Sequence, residues 1–277
     1  MPLLSVPATQ NSSSNKTSEM LVRNKLRYYA DASKSISNDG SAVGGSNSYI
    51  RNLVKGKYIT NELNYRASMY NGAAWIDDGE TSYWDFDGSN DYMVMSYSNL
   101  TSDWDLTRSD DDGGKLQWTM ELWLYPNRTN SQDYWMGRWI NQNANKSFLM
   151  GMYGPKMRTY KWRNGSGSYQ YYQSTNDITN QAWTHVAWTV SNDTQVATNP
   201  RRIHHYYNCV QQGSWAETVQ TVHTGGSRNV YLGTPYYFSW CYYGRIAQIR
   251  LYHRRLSLNE LKRNFNRDCV KFGLSKV

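Results

Sequence analysis

The chain has 277 residues with a formal net charge of +8; 39% are hydrophobic, 19% charged and 15% aromatic, with 12 Trp and 24 Tyr. An aromatic content this high excludes general disorder, and the low charge with so much Tyr, Trp, Asn, Ser, Thr and Gly excludes a helical bundle. No stretch of about 18 apolar residues occurs, so no helix of the chain is expected to cross a membrane.

Residues 1–20 are rich in Ser, Asn and Thr with two prolines, and read as a flexible N-terminal arm ahead of a domain spanning 21–277. The start, Met1-Pro-Leu-Leu-Ser-Val-Pro7, has neither the basic flank nor the apolar length of a secretory leader. Leu26–Asp31 is the first strand. Residues 34–80 read as long loops or short edge strands. From Tyr83 to Met95, alternation on both sides of Asp87-Gly-Ser-Asn90 predicts two strands about a tight turn. Ser109-Asp-Asp-Asp-Gly-Gly114 is a loop. Leu116–Tyr125 then alternates cleanly: Trp118, Met120, Leu122 and Leu124 on one face, Thr119, Glu121, Trp123 and Tyr125 on the other. Pro126 ends it.

Weaker strands follow near 134–138, 148–153, 157–162 and 169–173. Trp183–Val190 is another clear one, and 203–210, 229–232 and 245–252 complete the set. The one helix comes last. Ser257-Leu-Asn-Glu260 fits a capping box, and Leu258, Leu261 and Phe265 recur at helical spacing. A dozen strands and a terminal helix predict an all-β fold: a two-sheet antiparallel sandwich with one short C-terminal helix.

Cys209, Cys241 and Cys269 are odd in number and lack metal-site spacing, which predicts unpaired thiols in a reducing compartment. Seven Asn-x-Ser/Thr sequons, at Asn11, Asn15, Asn99, Asn127, Asn145, Asn164 and Asn192, follow from the Asn/Ser/Thr richness rather than from glycosylation. From Arg245 onward there are nine basic residues and two acidic ones. Arg250, Arg254, Arg255, Lys262, Arg263 and Arg267 are therefore a candidate docking surface, with a solvated basic face as the alternative.

Six segments, in order, resemble the laminin-G-like group of the concanavalin A-like lectin/glucanase superfamily. They are Leu26–Ala32, Phe86–Met93, Trp118–Pro126, Trp183–Thr189, Val230–Gly233 and Gly244–Leu261. The resemblance implies a jelly roll. It places the Glu121 and Trp183 strands centrally, makes the Phe86–Asp91 turn join neighbouring strands, and sets the last strand beside the early ones. The closing Glu260–Asn266 looks like the end of such domains in tailed-phage virion proteins.

The superfamily contains glycoside hydrolases, whose glucanase branch carries Glu-x-Asp-x-x-Glu on one strand. Retaining hydrolysis needs two carboxyl groups about 5 Å apart. Here Trp123 and Pro126 stand where the partners of Glu121 belong, so no catalytic residue is expected. Calcium is the only cofactor with candidate ligands, Asp85, Asp87, Asn90 and Asp91; carboxylates satisfying a turn are the competing reading. His204 and His205 point to opposite strand faces and do not chelate one metal. Clusters of Tyr and Trp among amides and glycines suit a sugar or protein contact. The candidates are Tyr169, Tyr171, Tyr172, Tyr236, Tyr237, Trp240 and Tyr242.

The resulting expectation is a non-enzymatic virion protein of a tailed phage, a capsid decoration or a tail or neck accessory assembled in the host cytoplasm. Its partners would be the major capsid protein or tail and neck proteins rather than nucleic acid, with a homo-oligomer, by analogy a trimer, as the assembly. The alternative is a lectin module for host-surface glycans, and the outsider a glycoside hydrolase.

Overall fold

A computed structural model describes residues 20–34, 49–54, 67–96, 117–139, 147–162, 169–192, 201–216, 229–235 and 240–277. Residues 1–19, the 109–114 loop, Tyr236 and Tyr237 lie outside these. Among the described residues, sixteen strands, numbered β1–β16 in chain order, form two antiparallel sheets of eight strands each.

The first sheet runs β14 (Val210–Ala216), β13 (Arg201–Tyr207), β12 (Thr184–Asn192), β7 (Trp118–Pro126), β16 (Tyr243–Tyr252), β5 (Ser82–Asp87), β4 (Ala74–Asp77). β1 (Leu26–Asp31) pairs with the second half of β16, so the last strand lies beside the first, as the resemblance implies. The second sheet runs β11 (Tyr169–Gln173), β10 (Lys156–Trp162), β9 (Phe148–Tyr153), β8 (Gln132–Arg138), β15 (Val230–Leu232), β6 (Tyr92–Met95), β3 (Ala67–Tyr70), β2 (Tyr49–Ile50).

The main core lies between the sheets. β7 delivers Trp118, Met120, Leu122 and Leu124 into it, and β12 adds Val186, Trp188 and Val190. β8–β10 answer with Trp135, Met136, Met150, Met152 and Met157. Trp118 and Trp188 meet edge-on, centroids 4.2 Å apart. Methionine's flexible chain fills the gaps that such large rigid rings leave. Two polar ties cross this core. Thr159 Oγ1 lies 2.9 Å from the His205 ring nitrogen, and the Met157 amide donates to the Tyr207 hydroxyl at 2.9 Å.

A second apolar layer sits outside the first sheet. Helix α1 (Leu258–Asp268) and a 3-10 turn (Cys269–Phe272) close over Trp123, which stacks on Phe265 and Phe272 at 5.4 and 4.2 Å. The capping box forms: the Glu260 amide donates to the Ser257 hydroxyl, and the Ser257 amide to the Glu260 carboxylate. Leu261 and Phe265 are buried beneath the helix, whereas Leu258, expected on that face, is exposed.

Two expectations need correction. β5 and β6 are not a hairpin, because they belong to different sheets. The 87–91 turn is a corner: the Asp87 carboxylate accepts the Ser89 and Asn90 amides at 2.8 and 3.2 Å, and Gly88 takes φ +75°. That chemistry reverses the chain without specifying which strand follows. The segment 203–210 is likewise not one strand. Asn208 and Cys209 both have positive φ, 46° and 66°, and turn β13 into β14.

Candidate functional site

The outward face of β8–β11 carries a continuous aromatic strip. Strand register sets it up. Tyr134 faces Gly151, which faces Arg158, which faces Gln173; the next row outward is Gly137, Leu149, Tyr160 and Tyr171. A β-carbon on Gly151 would stand 2.6 Å from the Tyr134 ring, so the glycine makes room for that ring.

Buried Tyr134 and Tyr160 form the floor, 5.9 Å apart. At one end, Trp139 and Trp240 stack nearly parallel, 6.0 Å apart and 6° from coplanar. Trp240 stands at φ +62°, a conformation a bulky side chain rarely takes, and its ring is 44% exposed. At the other end, Tyr169 and Tyr171 pack on Tyr160 at 5.7 and 6.0 Å and are 55% and 53% exposed. Between Tyr171 and the exposed Tyr153 lies the Arg158 guanidinium, 4.5 and 3.8 Å from the two ring centres.

Polar atoms run along the same strip. Gln132 donates to the Tyr134 hydroxyl, which donates to the Tyr160 hydroxyl at 3.2 Å. Arg158 donates to Tyr160 from Nη1 at 3.3 Å and to Gln173 Oε1 from Nε at 2.9 Å. Burial, together with the neighbouring Tyr160 hydroxyl, pushes the Tyr134 hydroxyl well above the usual phenol range, so it stays a neutral donor. The arrangement offers flat apolar faces beside a row of hydrogen-bonding groups.

The sequence candidates separate sharply. Tyr169, Tyr171 and Trp240 lie on this surface. Tyr172 does not: strand alternation turns it into the main core, 5.8 Å from Trp215. Tyr242 is fully buried against Phe86. Both are packing residues. Arg158 and Tyr153 are absent from the sequence candidates, because their partners sit on neighbouring strands and no local pattern marks them.

The basic end is also corrected. Arg250 is 1% exposed and hydrogen-bonds the buried Asp268 carboxylate, with Glu121 Oε2 3.9 Å away. Arg254 is half-buried and bridges both oxygens of Glu260, and Arg267 donates to the Tyr29 hydroxyl. Arg255 and Lys262 are half-buried, and Arg263 alone of the six is exposed. Arg250, Arg254 and Arg267 are therefore paired within the fold, chiefly by Asp268 and Glu260 of the same segment, with Glu121 joining from β7.

Glu121 lies beneath α1, with no exposure to solvent. Its carboxylate is held by the His185 ring at 3.1 Å and by Asn264 Nδ2 at 2.8 Å. It faces no groove and serves as an anchor for the helix. Around the corner turn, Asp85 lies 3.7 Å from Arg245, Asp87 caps the turn, and Asp91 accepts the Asp87 amide at 2.9 Å. Asn90 supplies its amide to Asp87 and its carbonyl to Asn71. Burial, and then the nearby Asp87 and Asp85 charges, raise the Asp91 carboxyl to about 6. Among the described residues, no three Asp, Glu, His or Cys side chains converge in a way that could hold a metal ion.

A search of curated proteins by sequence finds no match. Solved structures of similar fold include domain 4 of AbnA, an extracellular arabinanase from Geobacillus stearothermophilus, in complex with arabinotriose. It is 16% identical at a TM-score of 0.53, over 86% of this chain and 96% of that one. The botulinum neurotoxin type G receptor-binding domain matches at TM-score 0.54 and 10% identity, over 88% of this chain. The binding domain of Paraclostridial mosquitocidal protein 1 matches at 0.53 and 13%, over 81%. This chain spans about half of each of those two toxin domains, 51%. At these identities the likeness is one of fold. A laminin-G-type family model matches residues 87–262. That match runs from the corner turn into α1 and covers more than half of the sequence, and so the chain belongs to the concanavalin A-like lectin/glucanases superfamily.

Proposed function

We propose that this protein is a non-catalytic carbohydrate-binding module and that it holds sugar on the outward face of β8–β11. The observation that carries this is the exposed aromatic set, Tyr153, Tyr169, Tyr171 and Trp240, standing around the polar row from Gln132 to Gln173. A sugar ring presents an apolar C–H face and a rim of hydroxyls. Flat rings stack on the former, while amide, guanidinium and phenol groups bond the latter. Gly151 and the pinned Arg158 keep the surface arranged before ligand arrives, which lowers the ordering cost of binding. The fold's likeness to an arabinanase domain bound to arabinotriose supports the reading. The burial of Glu121 under α1 supports a binding rather than a hydrolytic role.

The test is a glycan array with the full chain, followed by titration of any hit. Tyr171→Ala and Trp240→Ala should each weaken binding by about tenfold or more, as loss of a stacking anchor does. Circular dichroism should show the fold intact. Retention of full affinity in both variants, or hydrolysis of a bound polysaccharide, would overturn the proposal.

We further propose that the module is carried on the virion of a tailed phage, attached through other virion proteins, with its lectin-like surface outward. The support is the resemblance of Glu260–Asn266 to the end of such virion domains. Mass spectrometry of purified particles tests this, and absence of the chain from them refutes it.

A further inference from the structure

Between Tyr134 and Asn176 the sequence holds six basic residues, Arg138, Lys146, Lys156, Arg158, Lys161 and Arg163, and no aspartate or glutamate. Its strands are β8–β11, the half of the second sheet that bears the aromatic strip; of the six, Lys146 and Arg163 lie outside the described residues and Arg138 and Lys161 are buried. The contrast with the C-terminal segment is instructive. There, nine cations in the last 33 residues meet Asp268, Glu260, Glu121 and Asp31 within the fold.

Lys156 and Arg158 alternate onto the outward face. The acid bordering them is Asp177, 61% exposed and 3.9 Å from the Lys156 ammonium, a pair that solvent largely screens. Asp133, at the other border, is fully buried and held bidentately by Arg128. Among the described residues, the outward face of these four strands thus carries cations and no carboxylate.

Arg158 is built to be a fixed donor. Its faces are covered by two tyrosine rings, and Nε and one proton each of Nη1 and Nη2 are taken by Gln173 and Tyr160. Of its five N–H groups, two remain for a ligand. A planar guanidinium with free donors is matched by a carboxylate, through charge-assisted bonds stronger than those to a hydroxyl.

We infer that the sugar taken by this strip is acidic: a polysaccharide bearing carboxylate groups, such as uronic or sialic residues. Rings stack on Tyr169, Tyr171 and Trp240 while a carboxylate meets Arg158, and Lys156 adds longer-range attraction. The inference rests on the proposed sugar-binding role and specifies its ligand class.

The experiment titrates the full chain with polygalacturonate, polysialate, methyl-esterified polygalacturonate, dextran sulfate and single-stranded DNA. The carboxylated polymers should bind about tenfold more tightly than the neutral ester. That gap should narrow as salt rises from about 50 to about 500 mM. Arg158→Gln should bring the carboxylated polymers down to the level of the ester. Lys156→Gln, whose ammonium is paired with the exposed Asp177 carboxylate, should weaken them about two- to threefold through loss of attraction. Arg263→Gln, on the far side of the molecule, should change nothing. The inference falls if ester and acid bind alike, if neither Arg158→Gln nor Lys156→Gln has an effect, or if Arg263→Gln weakens binding as much as they do. It also falls if dextran sulfate or DNA binds as tightly as polygalacturonate, which would make the surface a general polyanion site. Equal binding of acid and ester that is lost in Tyr171→Ala defeats only the ligand class. Binding of no polymer at all defeats the sugar-binding role as well.

Discussion

Replacing Asp268 by alanine should be among the most damaging single changes in the molecule. Its side chain has no exposure, and that of its partner Arg250 only 1%. Removing one member of such a buried pair typically costs about 3–5 kcal/mol, because the other charge is left without its counterion. Glu121 remains 3.9 Å from Arg250, so we place the cost at the low end, about 3 kcal/mol. For a chain of this size that lowers the melting temperature by about 6–12 °C. Burial alone would raise the Asp268 carboxyl, but Arg250, Arg267 and Lys271 hold it below its ordinary value. Its contribution is therefore present above the unfolded-state value and is lost as the pH falls through the native one. Urea unfolding followed by tryptophan fluorescence reads the change. The same deletion in the half-buried Arg254–Glu260 pair, as Glu260→Ala without its capping role restored, should cost about 1–2 kcal/mol. Replacing both buried partners, as Arg250→Met with Asp268→Leu, should recover most of the loss. A cost below about 1 kcal/mol for Asp268→Ala, or a double variant no better than the single one, would show that desolvation does not govern this layer.

Three other outcomes are expected. Gly151→Ala should destabilise by about 1–3 kcal/mol through overpacking, since its β-carbon would lie 2.3 Å from the Asp133 carbonyl; an unchanged melting curve would refute the packing account. Burial, and then His204, lower His205 to about 3, so its stabilising share is full above about pH 6.5 and declines as the pH falls. Stability should thus drop by up to about 2 kcal/mol between pH 7 and pH 5, and His205→Gln should remove that part of the drop; equal slopes would refute it. Ser257→Ala should cost about 1 kcal/mol by thermal melting, and no loss would mean that packing alone starts the helix.

β7 and β12 are legible because their alternation is strong and uninterrupted, and it even assigns Glu121 and Trp123 correctly to the face away from the core. The helix is legible for a similar reason, since Ser257 and Glu260 satisfy each other within one turn. The corner at Asp87 is not. An aspartate that caps its own turn reports a reversal, and the decision between sheets is made by β16 and β15, far away in sequence. Tyr172 is legible, since a period of two along the strand read at 169–173 already sets it opposite Tyr169 and Tyr171; grouping the three by composition hides this. Arg158 is beyond local reading altogether. Its ring partners come from β9 and β11, and only the finished register brings them together. The basic end misleads because a charge count shows neither burial nor pairing: Arg250 and Arg254 close on Asp268 and Glu260 of the same segment, and Glu121 joins from another strand.

One consequence follows from the helix lying across the first sheet. It covers that side of the sandwich, while the aromatic strip opens from the other, with two layers of strands in between. Val277 folds back onto α1 through Asn266 and is exposed there. The helix-covered face and the aromatic strip are thus back to back, so a contact made on one leaves the other open.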